Sequence, residues 1–115
     1  MRNSDLLARI GGVLMAVASF WNVMAAVGWV LAFWWLLFGL LWLVPLGLAL
    51  LELLFAVVLV VFGHKGFGRM AWMGPLVGLF VSLCNLNFLA MMLELVNLVV
   101  MSAAAVARSA EDRGY

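Results

Sequence analysis

Two carboxylates stand inside long apolar runs of this chain, Glu52 in the first and Glu94 in the second, and three asparagines, Asn22, Asn87 and Asn97, share those runs. A carboxyl that gives up its proton when water or a cation arrives can carry protons, or coordinate a hard cation with amide oxygens beside it. An ionised group at the middle of a bilayer costs about 2.5 to 3.5 kcal/mol on insertion scales, so each acid must be neutralised, find a partner or face water. Asn87, Glu94 and Asn97 fall within about 80° of arc at 100° per residue, which makes a polar stripe on one helix face. The pattern reads as an ion or proton pathway, with Glu52 as carrier, Glu94 as an entry acid nearer the outer face, and Asn22, Asn97 and Asn87 as neutral groups along it. The competing reading is that Glu52 hydrogen-bonds Asn22 or Asn97 and only specifies how the helices pack.

The elements that must position these groups follow from composition. Of 115 residues, 70% are hydrophobic and 10% charged, whereas a soluble domain carries roughly a quarter of its residues charged. The run from Ile10 to Gly63 holds one charge and is too long for one crossing, because a ~30 Å hydrocarbon core takes about 20 helical residues. Gly39, Pro45 and the cluster of Trp34, Trp35, Phe38 and Trp42 mark a turn near its middle, since tryptophan favours membrane interfaces. Met70 to Ala107 is again too long for one crossing, and Cys84-Asn85-Leu86-Asn87 is its sole candidate turn, a long tilted helix being the alternative. The expected fold is all-α: one membrane domain, a four-helix bundle of two helical hairpins, with helices at about 11–33, 42–62, 67–83 and 88–107. Pro45 falls in the first turn of the second helix, where its missing amide hydrogen costs least.

That arrangement puts all six Lys and Arg residues on one side, with both termini, the basic loop 63–69 and the polar tail 108–115. The bias against translocating Lys and Arg makes that side cytoplasmic, in the inner (plasma) membrane if the source is bacterial. Arg9, Lys65, Arg69 and Arg108 are then topology anchors at the lipid headgroups. Asn3, Ser4 and Asp5 are expected to cap a short lead into the first helix, and Ser109 to Tyr115 to be disordered. Ala16-Val17-Ala18 resembles a signal cleavage site, but the apolar character continues far beyond it, so an uncleaved first helix is expected.

Ala71, Gly74, Gly78, Ser82 and Asn85 recur at helical spacing. Gly74 and Gly78 form a GxxxG pair, which permits close helix approach where lipid offers no hydrophobic drive. Gly11, Met15, Ala18, Ser19, Asn22 and Ala26 make a related stripe on the first helix, so the two faces could meet within one chain or build an oligomer. A lone cysteine, Cys84, rules out an internal disulfide or a CxxC redox pair. One histidine cannot ligate a membrane haem on both sides, and no nucleophile–base–orienter trio is visible. No cofactor, metal site or enzymatic activity is expected, and no basic surface suits nucleic acid. The expected partners are the lipid bilayer and a second copy or another membrane protein. The first functional expectation is proton or cation handling through buried carboxylates. The alternatives are a non-catalytic scaffold or assembly subunit that packs through the GxxxG face, and a holin-like permeabiliser.

Overall fold

The structure, a computed structural model, describes residues 3–63 and 72–112. They form α1 (Asn3–Phe33), a 3₁₀ segment (Leu37–Trp42), α2 (Leu43–Phe62), α3 (Met73–Cys84) and α4 (Phe88–Asp112). Among the described residues there is no strand. Three helical stretches, Asn3–Phe33, Gly39–Phe62 and Phe88–Glu111, are long and apolar enough to cross a membrane, and α3 is a shorter apolar helix. The expected start of the third helix at 67, together with His64, Lys65 and Arg69, lies outside the described residues. Within extents of 58 × 21 × 16 Å, α1 packs along α2 and α4, and α3 packs against α4 and α2.

Both termini are more helical than expected. α1 begins at Asn3 instead of 11, and α4 continues to Asp112 where a break at 107 and a disordered tail were anticipated. The cause is a contact between the two ends. Ser4 donates its hydroxyl to Glu111 Oε2 at 2.6 Å and its amide to Glu111 Oε1 at 3.3 Å. An acidic side chain at a helix N-terminus satisfies one of its free amides and opposes the helix dipole. The same contact puts the start of α1 and the end of α4 at one end of the molecule.

The turn between α1 and α2 falls where Gly39 and the tryptophans placed it. Gly39 lies so close to the Phe33 carbonyl that a Cβ there would overlap it, and Pro45 occupies the first turn of α2. Trp29, Phe33 and Trp42 stack around this turn, with ring centroids 5.4 to 6.4 Å apart.

The break between α3 and α4 is real, and no single long helix runs through it. The Leu86 amide donates to Leu83 O at 3.2 Å and the Asn87 amide to Ser82 O at 2.9 Å, the pairing of a Schellman motif. The left-handed position is occupied by Leu86, at φ 54°, where glycine is usual. Asn87 Oδ1 then accepts the Ala90 amide at 3.3 Å, the bond an N-cap side chain makes to the third residue of its helix. One asparagine therefore closes α3 with its backbone and opens α4 with its side chain.

Polarity is inverted relative to a water-soluble protein. Ser4, Ser19, Asn22, Glu52, Ser82, Asn85, Glu94 and Asn97 are buried, while Leu31, Leu51, Met92, Val99 and Val106 are each more than 60% exposed. Every residue of the α1 stripe from Gly11 to Ala26 named from the sequence is buried.

Candidate functional site

Gly78 organises the centre of the molecule. Its missing side chain leaves room for two carboxyls: a Cβ built there would overlap the Glu94 carboxyl and lie 2.5 Å from Glu52 Oε2. Glu52, on α2, is 3% exposed and Glu94, on α4, is fully buried. All four of their oxygens lack a donor from any other group, and the two carboxyls meet at the Gly78 position. Two carboxylates cannot hydrogen-bond, because neither carries a hydrogen; a carboxyl and a carboxylate can. A single hydrogen between the two carboxyls gives an oxygen of each a partner.

Glu94 does not sit nearer the outer face than Glu52, as counting along the sequence suggested. Nor does Asn22 share the depth of Glu52 as its partner. Asn22 is the hub of a separate amide cluster. Its Nδ2 donates to Ser82 Oγ at 2.9 Å, and Ser82 donates to Gly78 O at 2.7 Å. Asn85 Nδ2 donates to Asn22 O at 3.2 Å and to Asn22 Oδ1 at 3.4 Å, and Asn87 Nδ2 to Asn22 Oδ1 at 3.4 Å. The reason for the misplacement is an offset between the turns. Asn22 lies beside the α3–α4 turn, yet α1 runs on to Phe33, roughly 16 Å further at 1.5 Å per residue.

Asn97 is fully buried with neither amide atom hydrogen-bonded. It lies beside Gly11 of α1, together with Met101. Of the five pathway residues named from the sequence, the structure joins Glu52 to Glu94 and Asn22 to Asn87, and leaves Asn97 about one turn along α4 from Glu94.

The GxxxG face is turned inward. Gly74 is packed against Met15 and Phe55, Gly78 against the two acids, and Ser82 against Asn22, all three buried. Side chains of the same chain fill the stripe, so it presents no free face to another protein. Arg9, expected at the headgroups, donates through Nη1 to Val60 O at 2.7 Å and Val61 O at 3.1 Å. It also meets Asp5 Oδ2 at 3.3 Å. It caps the end of α2, whose last carbonyls have no helical donor. Arg108 is half-buried near the end of α4.

Sequence reasoning missed three contributors. Asn85 was read only as a turn and stripe residue. Trp29 and Trp42 donate their indole hydrogens to Asn85 O at 2.9 Å and Cys84 O at 3.2 Å, closing the carbonyl end of α3. The available signal was the need of an indole N–H for a partner in apolar surroundings. An apolar cleft of about 200 Å³ between α2 and α3 runs past Glu52, which forms part of its wall with Leu51, Phe55, Met73 and Val77. A second cavity, of about 370 Å³, lies at the α3–α4 turn and is lined in part by Asn85, Asn87 and Trp21. Comparison with protein-family models, curated proteins and solved structures finds no match.

Proposed function

We propose that this chain is a small multispanning integral membrane protein, a bundle of two helical hairpins with both ends cytoplasmic, that handles protons or cations through Glu52 and Glu94. The membrane assignment draws support from three apolar helices of spanning length and from a polar interior under an apolar exterior. In water such an exterior would drive aggregation; in lipid it is the expected solvent-facing surface. The contact of Ser4 with Glu111 agrees with two ends on one side, and the Arg and Lys distribution makes that side cytoplasmic.

The observation that carries the functional reading is the pair of buried carboxyls without a donor. The asparagine cluster a turn away ties its elements together with donated hydrogen bonds, whereas the two acids receive none from any other group. An unsatisfied buried acid pair costs stability and is retained where it binds something. Purified protein in liposomes is expected to show a pH-dependent flux that Glu52→Gln abolishes. Flux that persists unchanged in this variant rejects the assignment.

A further inference from the structure

The four carboxyl oxygens of Glu52 and Glu94 do not make a cation cage. Hard cations take six or more oxygens, and the neighbouring oxygens are committed: Gly78 O to Ser82, and both oxygens of Asn22 to Asn85 and Asn87. Among the described residues no third acid, histidine or cysteine joins the two. A single hydrogen placed between the two carboxyls, by contrast, gives each a partner.

The surroundings of the pair differ at its two ends. Towards the α3–α4 turn the buried side chains are polar: Ser82 donates to Gly78 O, Asn22 to Ser82, and Asn85 and Asn87 to Asn22, with no hydrogen bond from Ser82 to either acid. The series ends at the cavity lined by Asn85 and Asn87. Asn85 Oδ1 is buried there without a donor, and the residue is 3% exposed. Towards the termini, Met15, Ala56, Leu59 and Met101 form a closed apolar cluster, each 1% exposed or less. Asn97 is the one buried polar side chain between the pair and that cluster on α4, and it bonds to nothing.

We propose that the site holds one proton between Glu52 and Glu94 and loads it from the polar end of the bundle, the end that carries the α3–α4 turn. The methionine–leucine cluster closes the other end. This rests on the proton- or cation-handling reading above, and goes further in naming the cargo, its stoichiometry and its entrance. Glu52 from α2 and Glu94 from α4 are the titratable groups at the site; α1 and α3 contribute Asn22, Met15, Gly78 and Ser82, none of which titrates.

The test uses the full chain in sealed liposomes, with orientation read from a C-terminal tag and the pH of each compartment set separately. A lipophilic carbodiimide adds a carboxyl O–H across its C=N bond, and mass spectrometry reads the adduct on Glu52 and Glu94. Labelling is expected to fall at least about tenfold when pH is raised on the turn side alone, and to stay within about twofold when it is raised on the terminal side. Sodium, lithium or calcium at constant pH should give no protection. Control from the terminal side, protection by any of these metals, or no labelling of either acid at low pH overturns the proposal. The readout is occupancy, so a site that loads from one end yet passes no flux fails the earlier liposome test and passes this one.

Discussion

Two polar regions lie about one helical turn apart in this molecule and obey opposite rules. Around Asn22, hydrogen bonds tie α1 to Ser82, Asn85 and Asn87. Around Gly78, two acids bury four oxygens without a donor. Both regions are buried and both pack against α3, so burial alone does not separate them. Satisfaction does. A satisfied network returns the cost of desolvation as helix-to-helix bonds, whereas an unsatisfied pair leaves that cost standing. The first region therefore ties helices together, and the role proposed for the second is to change its protonation.

The contrast breaks or sharpens under substitution. The largest effect is expected from Asn22→Leu, which strands the Asn87 amide and the Ser82 oxygen and leaves Asn85 only the backbone carbonyl of residue 22. It should cost about 2 to 3 kcal/mol, read by reversible unfolding in mixed micelles, and a loss below about 1 kcal/mol would mean that the cluster is not what joins α1 to the α3–α4 turn. Gly78→Ala comes next. Its methyl group must displace the Glu94 carboxyl, at an expected cost of about 1 to 2 kcal/mol, with carbodiimide labelling of Glu94 altered in the same sample. If labelling stays unchanged, the carboxyls do not meet at Gly78. The smallest effect is at the turn shared by the two regions. Leu86→Gly relieves a left-handed leucine and should stabilise by up to about 1 kcal/mol; a destabilised variant would show that the leucine side chain matters more there than its backbone.

Much of this architecture was legible in the sequence because it rests on length and period. Gly39 and the tryptophans marked one turn, the two asparagines marked the other, and the small-residue stripe of α1 marked its buried face. Depth was not legible. Position along one helix says nothing about where the next helix begins, and α1 runs past the α3–α4 turn, so Asn22 was matched to Glu52 when its partners are Ser82 and Asn85. Glu94 was placed apart from Glu52 for the same reason. Spacing left open whether the GxxxG face packs within the chain or against another copy, since it does not reveal that side chains of the same chain fill it. Ser109 to Asp112 were read as disordered because their helix is held by a contact with Ser4, across nearly the whole length of the chain.

The central claim is that the Glu52–Glu94 pair serves function and not stability. It is tested most directly by measuring unfolding free energy and liposome flux on the same preparations of Glu52→Gln and Glu52→Leu. Flux should be lost in both variants, with stability within about 1 kcal/mol of the parent or above it, since an apolar or amide side chain replaces a buried acid without a donor. Variants that lose about 3 kcal/mol or more while flux persists would show the opposite: a structural pair that carries nothing.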